Sequence, residues 1–214
     1  MLGGKQCGNY LARTFMSAVI QKRYISESEY LELEENSNIK HEYINGEMWA
    51  MAGAKRNHNE ITSTLRHLGN HLDGSPCSVF VSDMKLKVNH NFFYPDVIIA
   101  CDDEHDDYTE KPRIIFEVLS KSTEKFDKSY KMTCYKTLPS LQEYVLISQD
   151  CAEIMICRRS KNWAAEFYFL GDNVTFESIG LTLPVETIYQ RVKNQDVIDY
   201  LTQKAQQTEN ATCQ

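Results

Sequence analysis

"FFYPDVIIACDDEHDDYTEKPRIIFEVLSKST", residues 92–123, holds two runs of β-branched and aromatic residues around an acidic loop. Each run carries one carboxylate where an apolar residue belongs: Asp96 in the first and Glu117 in the second. Both runs are apolar on both faces, the pattern of interior strands. Read as an antiparallel pair, residues 93–101 and 113–119, they bring Asp96 opposite Glu117. Asp96 lies five residues before Cys101, and Glu117 five after Pro112. Their Cβ atoms would then be about 5 Å apart. Two ionised carboxylates that close repel by roughly 4 kcal/mol at an effective dielectric near 20. Desolvation adds to that cost. A shared proton or a divalent cation relieves it, and oxygen-only ligands suit Mg²⁺ or Mn²⁺.

The next segment supplies a third group. "STEKFDKSYKMTCYKTLP" predicts a helix, with Ser122 or Thr123 as its cap and Pro139 as its stop. Asp127, Lys131, Tyr135 and Leu138 fall on one face, and the last two point that face inward. Lys131 is thereby expected near the two acids. Carboxylate, carboxylate, lysine and metal form a set able to activate water against a phosphodiester.

Elsewhere the patterning is regular. Ser26 and Glu29 have capping-box spacing before a short helix. "IKHEYINGEMWAMAG" predicts a hairpin turning at Asn45-Gly46. Ile61, Leu65, Leu68 and Leu72 mark one helix face. "CSVFVSDMKLKV" reads as a single strand. "EYVLIS", "AEIMICRR" and "AAEFYFL" are further strands, and "LPVETIYQRV" is a short helix. The class is α+β, or mixed α/β. Residues 1–23 read as a poorly ordered extension, with Met16 an alternative start, 24–203 as one domain, and 204–214 as a frayed polar tail.

Composition narrows the function. The 214 residues are 42% hydrophobic and 25% charged, as in an ordinary globular protein. No apolar run reaches membrane-spanning length, and the N-terminus lacks signal-peptide character. The seven cysteines form no C-x-x-C pair, so they read as free thiols in the cytoplasm. A net charge of −7 argues against a passive DNA-binding module, but less against a nuclease whose carboxylates hold a cation. His67 and His71, four apart on a helix, lack a third ligand and read as surface residues. The run Asp102 to Asp107 lacks the glycine and closing glutamate of a calcium loop and reads as solvated.

"YPD", "FEVLSKST" and "DKSYKMTCYKTLPSLQEYVLI", preceded by "YLELEENSNIKHEYINGEMWAMAGAKRNHNEI", resemble a family of restriction-endonuclease-like proteins expanded in cyanobacteria. That family falls within the PD-(D/E)XK nuclease-fold superfamily, and the resemblance spans about residues 24–192. It implies a central mixed sheet flanked by helices, with an N-terminal hairpin. It also implies Mg²⁺- or Mn²⁺-dependent hydrolysis of DNA by Asp96, Glu117 and Lys131. Asp96, Glu117 and a backbone carbonyl near Val118 would be the metal ligands. The superfamily places its lysine two residues after the second acid, where this chain has Leu119. Lys131 matches a lysine that has migrated to the following helix. "HEYINGE" adds Glu42 as a further acid, and His58 reads either as a cap-region residue or as one that reaches substrate. A homodimer would suit cutting of both strands. The competing expectation is a catalytically inactive nuclease-fold module that binds DNA or a protein partner.

Overall fold

The computed structural model describes residues 23–101 and 106–212. All of the expected extension but Arg23, including Met16, and residues 102–105 of the acidic loop lie outside them.

The chain opens with helix α1 (Glu27–Glu35), whose first turn is closed by Ser26 Oγ accepting from Glu29 N–H at 3.2 Å. Strands β1 (His41–Ile44) and β2 (Glu47–Ala50) form the expected hairpin. Asn45 and Gly46 turn it with φ of 51° and 84°, the two positive values that a tight primed turn demands. Helix α2 (Arg56–Arg66) follows and runs into a 3₁₀ turn through Leu72.

"CSVFVSDMKLKV" is two strands, not one. It gives β3 (Cys77–Val81) and β4 (Lys85–Val88), which join different sheets. Ser82 breaks it with a left-handed φ of 61°, held by its N–H on Asp96 O at 2.9 Å. The quoted opening run divides likewise into β5 (Asn91–Phe93) and β6 (Val97–Cys101), with Tyr94, Pro95 and Asp96 between them. Proline cannot donate to a ladder, so the chain leaves one sheet there and enters the other. Two-residue β7 (Tyr108–Thr109) and β8 (Pro112–Leu119) complete this half.

The helix after β8 is composite. It comprises α3 (Glu124–Phe126), a π turn (Asp127–Lys131) and α4 (Met132–Tyr135). Thr123 is its N-cap residue, but the expected side-chain cap is absent. Strands β9 (Glu143–Ser148), β10 (Glu153–Arg158) and β11 (Ala165–Phe169) stand where the sequence predicts them. The hairpin β12 (Asn173–Phe176) and β13 (Leu181–Pro184) was not anticipated. Helix α5 (Val185–Tyr189) precedes α6 (Gln195–Thr212). The stretch expected to be a frayed tail from residue 204 continues α6 as far as Thr212, exposed over residues 201–210.

The central sheet has the order β11-β10-β9-β8-β6-β3. It is mixed, since β8 and β9 run parallel and the other neighbours antiparallel. A parallel pair needs a crossover, which the composite helix provides. One face of the sheet packs on α2 and α5 through Ile61, Leu65, Ile99, Phe116 and Ile188. The other packs on the composite helix and the second sheet, β2-β1-β5-β4-β7, through Leu86, Phe93, Ile98, Ile115 and Tyr135. Cys77 and Cys101 are cross-strand partners on β3 and β6 and are joined as a disulfide. The expectation of free thiols throughout is therefore corrected. Cys134, Cys151 and Cys157 are free.

Candidate active site

The register of β6 on β8 decides where the acids stand. Val97 pairs with Phe116 and Ile98 with Ile115, a register that, one step further, would set Asp96 across from Glu117. Asp96 itself stands just before β6, so its place opposite Glu117 is an extension of the register; a bulge between Ile99 and Ala100 shifts the far end of the pair by one residue. Glu117 lies on the face of β8 that carries Ile115 and Leu119, facing the composite helix.

That helix delivers Lys131. In an ordinary α-helix, residues four apart drift by about 40° around the axis. The wider π turn reduces this drift and keeps Asp127 and Lys131 on one inward line with Tyr135. All three are buried. Lys131 Nζ lies 2.8 Å from Glu42 Oε1, 3.2 Å from Glu117 Oε1 and 3.3 Å from Asp127 Oδ1. Tyr135 OH donates to Glu117 Oε1 at 3.0 Å. Glu42 arrives from β1 of the second sheet, so the site is closed from two sheets and one helix.

Asp96 is held separately. Its Oδ2 accepts the Val118 N–H at 2.6 Å, and its Oδ1 lies 3.0 Å from His58 Nε2 in the first turn of α2. His58 therefore does more than begin a helix. It touches the first acid, and its Nδ1 is buried without a hydrogen-bond partner. Val118 presents its N–H to Asp96, and the carbonyl of a strand residue points to the same edge as its N–H.

The electrostatics follow from burial. Burial pushes the Glu117 carboxyl well above its usual range; Lys131 opposes this, while Asp127, Asp96 and Glu42 reinforce it. Burial also raises Asp127, against the pull of Lys131. For Lys131, burial alone would favour the neutral amine, but Glu117, Glu42 and Asp127 outweigh it and hold the ammonium well above its ordinary value. One ammonium cannot neutralise all of Glu42, Asp96, Glu117 and Asp127. The cluster is short of positive charge, and Asp127 Oδ1, though ion-paired, has no hydrogen bond. Hard oxygen donors with surplus negative charge suit a divalent cation. Among the described residues, no three His, Cys, Asp or Glu side chains are already disposed as a metal-ligand group.

Glu42, His58, Asp96, Glu117, Val118, Asp127 and Lys131 line a cleft of about 690 Å³, with Lys40, Trp49, Met51, Lys55 and Phe126, while Tyr135 lies behind it. Of the residues singled out in the sequence, Asp96, Glu117, Val118, Lys131, Glu42 and His58 all line it. His67 and His71 do not, and His71 Nε2 instead meets Ile179 O at 3.1 Å. Asp127 stands on the predicted helix face, and its pairing with Lys131 is a contact that the sequence alone does not assign. Its four-residue spacing from Lys131 was the available signal.

The Uma2 family, described as "Putative restriction endonuclease", matches residues 27–186. The chain belongs to that family. Relatives occur in Synechocystis sp. (strain ATCC 27184 / PCC 6803 / Kazusa). The uncharacterized protein slr1290 is 37% identical over 174 residues, covering 78% of this chain and 92% of the relative. The uncharacterized protein sll1609 is 38% identical over 147 residues, covering 65% and 83%. A crystal structure from Anabaena variabilis ATCC 29413, described as "a putative nuclease belonging to DUF820", shares the fold with a TM-score of 0.67. It is 17% identical and covers 79% of this chain and 99% of its own.

Proposed function

We propose that this Uma2 chain is an endonuclease that hydrolyses phosphodiester bonds in DNA with Mg²⁺ or Mn²⁺. The observation that carries the reading is the meeting of Asp96, Glu117 and Lys131 on one cleft, from the turn before β6, from β8 and from the composite helix. Asp96, Glu117 and the Val118 carbonyl are the groups that would hold the ion. When bound, it supplies Lewis-acid stabilisation of the phosphate and a more acidic water.

The chain's own residues do the rest. His58 and the Val118 N–H fix the orientation of Asp96. Tyr135 and Lys131 fix that of Glu117. Glu42 and Asp127 hold the Lys131 ammonium charged at the floor of the cleft, where it orients the attacking water or offsets negative charge developing on the phosphate. A homodimer is the simplest arrangement for cutting both strands of a duplex. No described helix is long and apolar enough to cross a membrane. A cytoplasmic site of action fits a DNA substrate, although the Cys77–Cys101 pair removes part of the thiol argument for it.

A second reading has its own support: Lys131 is fully engaged by three carboxylates, and the net charge is −7. Under it the chain is a silent nuclease-fold module that binds DNA or a protein partner. Incubation of purified protein with plasmid and oligonucleotide DNA at low salt separates the two, because phosphate contacts are strongest there. Nicking that requires Mg²⁺ or Mn²⁺ and stops with chelator supports the enzyme. Bound Mn²⁺ without cutting on any substrate supports the module.

A further inference from the structure

Trp49 stands directly across the hairpin from Glu42. Cross-strand partners share a face of the sheet, so the indole and the carboxylate point to the same side, about 5 Å apart at Cβ. Glu42 continues into the floor of the cleft through Lys131. Trp49 forms the lip, and its side is half open at 50% exposure. Ile39 and Met51 extend the lip at 57% and 37%. Beyond them Ala52, Gly53 and Ala54 line the same cleft, and a side chain at Gly53 would meet nothing within 4 Å. The lip is therefore apolar, aromatic and roomy, and it borders the charged floor without a break.

Two lysines stand on the same rim. Lys55 precedes α2 without a side-chain cap, and no acid stands in the first turn of that helix. Lys40 lines the cleft as well and lies over the Tyr94 ring at 5.7 Å, its ammonium paired with Asp83 and donating to Ser82 O at 3.0 Å. An apolar, aromatic platform beside Lys55 and the acid-free start of α2 matches the two halves of a nucleotide.

We propose that Trp49 stacks on a nucleobase next to the scissile phosphate, so that the substrate is DNA whose nucleotides are unpaired at the cut. This rests on the DNA reading above. The reason for "unpaired" is geometric. An indole can cover the face of a base only when the base has left its own stack; paired bases offer their edges alone. The lip adjoins the floor through a single cross-strand pair, so the base it receives belongs to a nucleotide adjoining the phosphate held there.

The test uses the full chain. Trp163, the second of two tryptophans, is replaced by W163F so that Trp49 is the sole indole reporter. An oligodeoxythymidylate strand is titrated at low salt in chelator. We expect the strand to quench Trp49 fluorescence and a blunt duplex hairpin or a fully abasic strand to leave it unchanged. W49A should bind the strand about tenfold more weakly, the loss of roughly one base–aromatic stack, and W49F should recover most of it. Equal strand affinity for W49A and wild type overturns the proposal. So does quenching by the abasic strand, the absence of quenching at every strand concentration, or quenching driven by protein concentration alone, which would assign the lip to a second copy of the chain. The nuclease reading is judged separately by cutting. If W49A binds strands normally while wild type cuts with Mn²⁺, only the stacking proposal fails. If wild type quenches on strands but cuts nothing with Mn²⁺ bound, only the nuclease reading fails.

Discussion

Lys131 Nζ lies 3.2 Å from Glu117 Oε1, across fourteen residues of chain and a π turn. The position two residues after Glu117, where the superfamily carries its lysine, is occupied by buried Leu119. The helix thus supplies to the acid what the strand does not. The contact makes Lys131 a structural counter-ion as well as a proposed catalytic group.

Lys131→Met should therefore have two separable effects. Its removal leaves Glu42, Glu117 and Asp127 facing each other with no buried cation, a loss of about 3–5 kcal/mol for one partner of a buried ion network. The apo melting temperature should fall sharply. Mn²⁺ should recover much of that fall, because it meets carboxylates the lysine no longer occupies, yet DNA cutting should remain lost. Calorimetric titration with Mn²⁺ beside melts with and without the ion checks both effects. A variant that melts like wild type would show that the three carboxylates do not depend on the ammonium.

Asp96 separates charge from geometry. Its two oxygens are engaged by Val118 N–H and His58. Asn can keep the first contact with its carbonyl and turn its amide toward the imidazole, so Asp96→Asn should change apo stability by under about 1 kcal/mol while weakening Mn²⁺ binding. Asp96→Ala leaves the Val118 N–H without its charged acceptor and should cost about 1.5–3 kcal/mol. Chemical denaturation of both variants reads the contrast. Equal destabilisation would mean that the negative charge itself, and not the hydrogen bonds, anchors Asp96.

Arg158 provides the control far from the cleft. It is almost fully buried, with Glu143 at 3.2 Å, Glu166 at 2.6 Å and Thr175 O at 2.5 Å. It ties β10 to β9, β11 and the β12–β13 hairpin. Arg158→Met should destabilise by about 3–5 kcal/mol, since Glu143 is left buried and short of its partner. Mn²⁺ affinity of the folded fraction should not change. A shift in that affinity would mean that the sheet transmits strain to the site.

Much of this is legible in the sequence. The Asn45-Gly46 turn and the Ser26 cap are local chemistry, and local chemistry is readable in sequence. The antiparallel pairing of β6 with β8 is readable because two apolar runs and one loop fix a register. Lys131 was readable because Tyr135 and Leu138 show which way the helix faces. What escaped was tertiary. Alternation in "CSVFVSDMKLKV" is the same whether the run serves one sheet or two, and only the left-handed Ser82 marks the break. The β12–β13 hairpin carries just Val174 and Phe176 as buried residues, too few for a periodic signal. The partnership of His58 with Asp96 joins segments that nothing in the local sequence connects.

The last prediction concerns pH. Burial raises Glu117 above its ordinary 4.5, and Asp127 shifts in the same direction. A carboxyl whose folded value is raised favours the fold while protonated. Its contribution is fully present below about pH 4.5 and is lost as pH rises through the folded value. Lys131 is held charged throughout that window and adds no slope of its own. Other carboxylates, such as Glu166, shift downward and oppose the trend, so absolute melts mix both signs. The comparison with Glu117→Gln removes them, because the amide cannot titrate. Without metal, wild-type stability relative to E117Q should fall steadily from mildly acidic pH to neutral pH. With Mn²⁺ the slope should reverse, since ligation needs ionised carboxylates and so strengthens as pH rises. Paired thermal melts across that range, with chelator and with Mn²⁺, check both slopes. A flat difference in chelator would mean that Glu117 is already ionised beside Lys131 across the range. The buried charge deficit that motivates a cation would then be smaller than the geometry implies.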